Sequence, residues 1–267
     1  MTRPEPLASA PPQELARVSV VLTDVDDTLT RHGRLASTTL AALERLADAG
    51  ITVIPVTGGC AGWCDHIVRA WPVAAVIGES GAFRFRRSAG GGLDVHSVRP
   101  LKALREEQRR LLTIAERAMQ EVPGARLAAD QPFRLADVAV DHAQDVAPLD
   151  AAAIQQLVDA FKRAGASARA SSIHVNAWFG AHDKATMAAW ALEHDLGLDA
   201  TARRERVLFI GDAPNDASLF GRHPLGVGVA NLAPHLDRLP RPPRWLCEAG
   251  HGQGFEEMAE ALLAARE

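Results

Sequence analysis

The chain has 267 residues, 47% of them hydrophobic and 23% charged, and its formal net charge is −4. A chain of this length has room for one large domain or two smaller ones with well-buried cores. Its 29 basic and 33 acidic residues form no long block of one sign, which excludes the charge pattern typical of proteins that bind nucleic acids or membrane surfaces.

The N-terminal segment is rich in proline and contains no apolar stretch of the length that a signal peptide needs. No later apolar run approaches the ~20 residues of a membrane-spanning helix. We therefore expect residues 1–15 to form a flexible tail and the protein to be cytoplasmic.

Short apolar segments alternate with helix-like segments in the two outer parts of the chain. Residues 18–22, 51–57 and 73–78 read as buried strands, and the segments between them have the apolar spacing of helices. The same alternation returns after residue 183 and ends in a helix-like segment over residues 254–266. This pattern predicts an α/β fold with a Rossmann-like parallel sheet that is covered on both faces.

The middle of the chain follows a different pattern. Residues 82–98 alternate apolar and polar side chains around a run of glycines, which predicts a hairpin with one solvent-exposed face. Two amphipathic helices and two strand-like segments follow, of which the last strand covers residues 168–178. We predict a core domain formed by residues 16–82 and 181–267, with an α+β module inserted at residues 83–180.

The first strand ends in an unusual concentration of negative charge. The segment VVLTDVDDTLT places Asp24, Asp26 and Asp27 directly after a buried run. Two carboxylates about 4 Å apart at an effective dielectric constant near 20 repel each other by roughly 4 kcal/mol. The cluster therefore needs a cation, a proton or full solvation. Mg²⁺ is the most plausible cation, because it takes one or two carboxylates together with waters and phosphate oxygens.

Three other interpretations of this aspartate cluster are an EF-hand loop, a receiver-type domain and a solvated turn. An EF-hand loop is excluded, since Leu29 and Leu35 stand where that loop needs Gly and Glu. A receiver-type phosphoacceptor domain also gathers aspartates around Mg²⁺, but it needs only about half this length. A solvated aspartate-rich turn is the remaining alternative.

Other segments carry chemistry that complements these carboxylates. Thr57 and Gly58 follow the second strand, where a hydroxyl group and backbone N–H groups can hold phosphate oxygens. The segment GDAPND adds Asp212 and Asp216 after a later strand. Lys184 opens a helix, against the preference of the helix dipole, so we expect an anionic neighbour.

Four motifs together resemble the haloacid dehalogenase (HAD) superfamily of phosphohydrolases. They are DVDDTL at residues 24–29, Thr57, Lys184 and GDAPND at residues 211–216, in that order. The module between Thr57 and Lys184 is similar to the C2-type cap of subfamily IIB, which includes Cof-like enzymes, sucrose phosphatases and mannosyl-3-phosphoglycerate phosphatases. The resemblance implies a HAD core domain with an inserted α+β cap domain.

The resemblance also assigns roles to individual residues. Asp24 would attack phosphorus to form an aspartyl-phosphate, and Asp26 would protonate the leaving alcohol and then activate water. Thr57 and Lys184 would bind the oxygens of the phosphoryl group. The implied Mg²⁺ ligands are Asp24, Asp26 (through its backbone carbonyl), Asp212 and Asp216, and Gly58 and Asn215 are further candidates for substrate binding.

Two positions depart from the pattern of related capped enzymes. Gly59 stands where those enzymes often carry Arg, and Ser80 stands where many carry Asn. Neither position belongs to the implied catalytic groups, so the departures bear on the identity of the substrate.

The cap offers several candidates for contact with the rest of the substrate. His174, Asn176 and Trp178 occupy alternate positions and are expected on one face of a strand, where they suit a sugar. Alternatively, Trp178 packs beneath the cap and His174 lies on the surface. Arg84 and Arg86 alternate in the hairpin and either hold a second anionic group or are solvated.

We therefore expect a Mg²⁺-dependent phosphatase that acts on a small phosphorylated metabolite, best described as a sugar phosphate or a phosphorylated sugar conjugate. The alternatives are a phosphomutase or phosphotransferase of the same architecture, and a non-catalytic phosphoacceptor or carbohydrate-binding module. The sequence leaves the oligomeric state open.

Overall fold

The computed structural model describes residues 3–267, which form a parallel-sheet core and a smaller α+β unit inserted into it. The strands are β1 (Glu5–Pro6), β2 (Val20–Thr23), β3 (Thr30–Arg31), β4 (Arg34–Leu35), β5 (Thr52–Pro55), β6 (Ala75–Gly78), β7 (Phe83–Arg87), β8 (Leu93–Ser97), β9 (Arg126–Leu127), β10 (Val138–Asp141), β11 (Ser167–Ala170), β12 (His174–Trp178), β13 (Val207–Gly211), β14 (Leu225–Gly228) and β15 (Trp245–Leu246).

The helices lie in both units. They are α1 (Pro12–Leu15), α2 (Ser37–Asp48), α3 (Ala61–Ala70), α4 (Leu101–Glu121), α5 (Ala151–Arg163), α6 (Lys184–His194), α7 (Ala200–Arg206), α8 (Ala217–Arg222) and α9 (His251–Ala264). Within residues 3–267, none of these helices combines the length and the apolar character needed to cross a membrane.

The core is a six-stranded sheet in the order β1-β15-β14-β13-β2-β5, and every pair of neighbours is parallel. Strands β2 and β13 are buried at every residue, as expected for the centre of a sheet with covered faces. Helices α2 and α9 pack against one face, and α6 and α8 pack against the other. The predicted α/β fold with a parallel sheet is confirmed.

The N-terminal segment differs from the prediction of a flexible tail over residues 1–15. Strand β1 pairs with β15, and the backbone N–H of Glu5 donates to the carbonyl of Arg244 at 2.9 Å. Leu7 and Leu15 are 2% and 4% exposed within the main core cluster. The prediction is therefore wrong from residue 5 onward, because these two leucines bury their side chains despite the prolines around them. Residues 1 and 2 lie outside the described part.

The boundary between core and insertion also differs from the prediction. Strand β6 lies parallel to β5, as predicted: a parallel bridge joins Val56 and Ile77, and the N–H groups of Thr57 and Ala74 donate to the carbonyls of Ile77 and Val53 at 2.8 and 3.0 Å. On its other edge, β6 pairs antiparallel with β7, which pairs in turn with β8, and this pairing was not predicted. The hairpin over residues 83–97 therefore belongs with the core strand β6, because the tight turn after Gly78 reverses the chain directly onto it.

The remaining insertion carries a four-stranded antiparallel sheet in the order β11-β12-β10-β9. Helices α4 and α5 cover one face of this sheet, and Val175 and Ala177 of β12 point into the resulting core. The predicted single strand over residues 168–178 is instead a pair, β11 and β12, which are separated by a turn at residues 171–173.

The chain enters and leaves the insertion at neighbouring points. Arg99 donates from its guanidinium group to the carbonyl of Phe179 at 2.8 Å. Close by in the fold, Gly81 packs against Asp183, and a Cβ atom at Gly81 would lie 2.2 Å from the carbonyl oxygen of Asp183. Gly81 also has a φ of +100°, so this contact requires glycine.

Candidate active site

Three parallel strands end at one edge of the core sheet, and each is followed by a residue that the sequence singled out. Asp24 follows β2, Thr57 comes two residues after β5, and Asp212 follows β13. The backbone N–H of Asp24 donates to the carbonyl of Ile210 at 3.0 Å, which fixes the ends of β2 and β13 side by side. The parallel topology therefore brings together residues that are far apart in sequence.

Lys184 lies at the centre of this cluster. Its ammonium nitrogen is 2.6 Å from Oδ1 of Asp24 and 2.7 Å from Oδ1 of Asp216. The Lys184 side chain is 3% exposed, so the charge is buried and needs these partners. Asp183 is the N-cap residue of helix α6, and its side chain accepts a hydrogen bond from the N–H of Thr186. This hydrogen bond fixes the start of the helix and so holds the adjacent Lys184 in place. The anionic neighbour predicted for Lys184 is thus present as two carboxylates.

The cluster also has the donor set of a site for a hard divalent cation. Carboxylate oxygens of Asp24, Asp212 and Asp216 lie within 4.8 Å of one another. Thr28 donates to Oδ1 of Asp212 at 3.2 Å, and Asn231 donates to Oδ2 of the same residue at 3.4 Å. An all-oxygen set suits Mg²⁺. The side chain of Asp26 is not part of this group, so its role as a ligand through the backbone carbonyl stays a prediction.

The site holds more carboxylates than positive side chains, and burial makes their ionised forms costly. Burial raises the pKa of Asp24 to about 7, with Lys184 opposing the shift and Asp216 and Asp26 adding to it. Burial, Asp24 and Asp216 raise the pKa of Asp212 well above its ordinary value. Burial would lower the pKa of Lys184, but Asp216 and Asp24 outweigh it and raise the pKa. One ammonium group is shared among several carboxylates, so a divalent cation fits both the donors and the charge.

The loop after β5 is held in place by three hydrogen bonds. The hydroxyl group of Thr57 accepts a hydrogen bond from the N–H of Gly59 at 2.8 Å. The carbonyl of Gly58 accepts hydrogen bonds from Arg134 at 3.0 Å and from Asn176 at 3.3 Å. Because its carbonyl is held on the side of the cap, the Gly58 peptide has a fixed orientation next to Thr57.

A cavity of about 660 Å³ opens above these groups, between the core and the cap. The predicted residues that line it are Asp24, Asp26, Thr57, Gly58, His174, Asn176, Asp212 and Asn215. Lys184 borders a small adjoining pocket, and Asp216 is fully buried beneath the site. The structure therefore brings the core residues of the predicted site together around one cavity.

The cap residues divide between the cavity and the interior. His174 and Asn176 line the cavity, as expected from their shared face of β12. Trp178 does not line it: its side chain is 2% exposed, and its indole N–H donates to the carbonyl of His182 at 2.9 Å. The structure places Trp178 in a packing position, which is the alternative weighed for it from the sequence.

Arg84 and Arg86 are engaged in ion pairs within the core. Arg84 is 3% exposed and lies 3.0 Å from Asp94 and 2.9 Å from Asp195. Arg86 is 2.8 Å from Asp94 and 3.3 Å from Asp195. The idea that these arginines hold a second anionic group of the substrate is therefore wrong, since both guanidinium groups already neutralise carboxylates away from the cavity.

Sequence reasoning missed a buried polar network that joins the cap to the core. Glu79 is fully buried and accepts hydrogen bonds from the N–H groups of Ala61, Leu135, Ala136 and Asp137 at 2.6–3.1 Å. Arg134 pairs with Asp130 at 2.9 Å and with Asp137 at 2.9 Å. The only signal in the sequence is the presence of charged residues directly before the apolar strand β10.

No protein-family model matches the chain, and no curated protein sequence is similar to it. Solved structures do match. A Synechocystis sucrose-phosphatase, in complex with sucrose and phosphate, has a TM-score of 0.64 and 16% identity, covering 92% of this chain and 98% of its own.

Two further structures show the same likeness. A phosphatase of the HAD superfamily from Bacteroides thetaiotaomicron has a TM-score of 0.60 and 17% identity, with 97% of this chain and 98% of the other covered. A HAD subclass IIB sugar phosphatase has a TM-score of 0.61 and 13% identity, over 92% and 98% of the two chains. The chain therefore shares its fold with these structures, over more than nine-tenths of its length.

Proposed function

We propose that this protein is a Mg²⁺-dependent phosphatase that hydrolyses a small phosphate monoester, with a sugar phosphate or phosphorylated sugar conjugate as substrate. The observation that carries the proposal is that Asp24 and Asp212 lie together at the floor of one cavity, with the ammonium group of Lys184 2.6 Å from Asp24. A carboxylate nucleophile beside an ammonium group and a cation site is the equipment that phosphoryl transfer needs. A protein that only binds sugars would not need this set.

The proposed reaction has two steps. An oxygen of Asp24 attacks phosphorus, the bond from phosphorus to the substrate oxygen breaks, and Asp26 gives its proton to the departing alcohol. Asp26 then takes a proton from water, the water oxygen attacks phosphorus, and the bond to Asp24 breaks to release inorganic phosphate. Thr57 and the Gly58 peptide hold phosphoryl oxygens during both steps, and Lys184 neutralises part of their charge.

Asp24, Asp212 and Asp216 would hold the metal ion, which would supply positive charge to the phosphoryl oxygens when bound. The buried Lys184 alone leaves these carboxylates with excess negative charge. The chain's own contribution is to fix the carboxylates, through the contacts of Thr28 and Asn231 with Asp212.

The choice of a sugar-like substrate rests on the cavity and on the structural relatives. Trp63 and polar side chains of the cap line the cavity, which suits a hydroxyl-bearing group. Relatives of the same fold are sugar phosphatases by name. We further propose a cytoplasmic protein whose partner is this small metabolite, without a nucleic-acid or membrane partner.

The test is phosphate release from a panel of phosphate monoesters, with Mg²⁺ and with a chelator. We expect Asp24→Asn to lower kcat by roughly 10³-fold or more, because the amide cannot act as the nucleophile. Asp26→Asn should lower it by roughly 10²–10⁴-fold. Asp48→Asn, at an exposed position of α2, is the matched control and should behave like the parent protein. Parental rates in Asp24→Asn, or conversion of a sugar phosphate to an isomer without free phosphate, would contradict the proposal.

A further inference from the structure

The wall of the cavity is rich in carboxylates. Besides Asp24 and Asp212 at the cation site, the side chains of Asp26, Asp27 and Asp130 line it. A bound divalent cation would offset charge at the floor of the cavity. Asp26 holds the proton for the leaving alcohol in the proposed reaction, and both oxygens of Asp130 accept hydrogen bonds from Arg134, so Asp27 is the carboxylate that faces the remainder of the substrate without an arginine or lysine partner among the described residues.

The same wall offers no free positive side chain to a ligand. Among the cavity-lining residues in the described range 3–267, Arg134 is the only arginine or lysine. Its guanidinium group is 1% exposed, and all three of its nitrogens already donate, to Asp130, to Asp137 and to the carbonyl of Gly58. Four of its five N–H groups are engaged, and the carboxylates of Asp130 and Asp137 balance its charge, so this buried guanidinium group adds no net positive charge to the wall.

The imidazole group of His174, near Arg134, adds no positive charge to the cavity wall. His174 lines the cavity, and burial together with the nearby Arg134 lowers its pKa to about 4. It is therefore uncharged near neutral pH. His32 and His66 also line the cavity.

The groups that do face the cavity are suited to an uncharged ligand. Trp63 lies in the first turn of α3, directly after the Thr57 loop, and its side chain is 55% exposed. Ser172 and Gln144 line the side of the cap and are exposed, so they are free to exchange hydrogen bonds with hydroxyl groups. An exposed indole with a few neutral polar groups forms a subsite for an apolar ring face and its hydroxyls.

We propose that this cavity selects phosphate esters whose remaining part is uncharged and carries hydroxyl groups, and that it discriminates against esters with a second anionic group. The inference rests on the proposed phosphatase function and narrows its substrate class. It excludes sugar bisphosphates and conjugates that carry a carboxylate, such as phosphoglycerate derivatives.

The test compares substrates that differ by one carboxylate. Glucitol 6-phosphate is paired with 6-phosphogluconate, and glycerol 3-phosphate is paired with 3-phosphoglycerate, at pH 8 with Mg²⁺. We expect kcat/KM for the neutral member of a pair to exceed that of the acid by about tenfold, the effect of one uncompensated repulsion at short range. Equal values, or a preference for the acid, would overturn the inference and leave the phosphatase proposal standing.

A gain-of-charge variant tests the cause of the selection. Gln144→Lys adds an ammonium group to the cavity wall at an exposed side chain, while the backbone N–H of Gln144 stays bonded to Asp141 at 2.8 Å. The variant should lower the ratio of kcat/KM for the neutral ester to kcat/KM for the acid by about fivefold. Gln120→Lys adds the same charge on an exposed position of α4, away from the cavity, and should leave the ratio unchanged. An identical ratio in both variants would contradict the charge argument.

A binding measurement separates this inference from the proposed function. Calorimetric titration of Asp24→Asn with the same pairs reports affinity without turnover. Tighter binding of the neutral esters, with no phosphate released by the parent protein from any ester, would overturn the phosphatase proposal and support the selectivity. Failure of every neutral ester to bind, or tighter binding of the acids, would overturn the selectivity.

Discussion

At the scale of single residues, His223 shows how burial sets a charge state. Its side chain is 5% exposed, and Nδ1 has no hydrogen-bond partner among the described residues. Burial, together with Arg222 and Arg203, lowers its pKa to about 4. The folded protein therefore holds this imidazole in its neutral form, whereas the unfolded chain takes up a proton near pH 6.5.

The sign of the resulting pH dependence follows from this difference. The contribution of His223 to stability is complete above pH 6.5 and is lost as the pH falls toward 4, by up to about 1.4 kcal/mol per pH unit. We expect the difference in unfolding free energy between the parent and His223→Gln to narrow over that range. Urea unfolding at several pH values measures it, and a difference that is constant with pH would contradict the assignment.

At the scale of elements, Glu79 joins the start of α3 to the segment that leads into β10. Each of its contacts is an N–H donor, so the ionised carboxylate fits the site. Burial and Asp137 raise its pKa, while Arg134 and the N–H groups favour the ionised form. The carboxylate thus fixes the position of the cap over the Thr57 loop.

We expect Glu79→Gln to lower the unfolding free energy by roughly 2–4 kcal/mol, because the amide group turns a donor toward backbone donors. The loosened cap should also raise KM more than it lowers kcat. Chemical denaturation and steady-state kinetics check both effects. Glu116→Gln, on an exposed position of α4, is the control, and an equal effect in both variants would show that Glu79 does not hold the cap.

Element-scale prediction from the sequence succeeded where one strand followed another in a regular α/β alternation. It failed where pairing depends on distant or reversed segments. The sequence predicts β6 as a parallel strand beside β5, but its other edge also pairs antiparallel with β7, because the turn at residues 79–81 reverses the chain. Likewise, Leu7 looks like part of a proline-rich tail until β15 supplies a partner.

At the scale of the whole molecule, the candidate cation site links binding to stability. Mg²⁺ bound to the folded state only, at about 100 times its Kd, would stabilise the protein by about 2.7 kcal/mol. For a chain of this size the melting temperature should rise by roughly 5–10 °C. Asp212→Asn should abolish most of this rise, and Asp48→Asn should retain it. Differential scanning calorimetry with and without Mg²⁺ checks the prediction, and an equal rise in both variants would place the ion elsewhere.

Much of the molecule could be predicted because the topology of a parallel sheet is regular. Once the strands before Asp24, Thr57 and Asp212 are recognised, their carboxyl ends must meet at one edge. The contacts of Glu79 and Arg134 could not be found in this way. The contacts that join the cap to the core, from Arg134 to Gly58 and from Glu79 to Leu135, span more than fifty positions, and they depend on how the cap packs.

The contact between Arg99 and Phe179 has a further consequence. The two connections between the core and the insertion run next to each other, so the insertion is one continuous segment that is attached to the core at a single place. Exchanging that one continuous stretch would change the lining of the cavity on the side of the cap, whereas Asp24, Asp212 and Lys184 would stay in the core. If the proposed function holds, a change of substrate would therefore need no change in the residues proposed to act on phosphate.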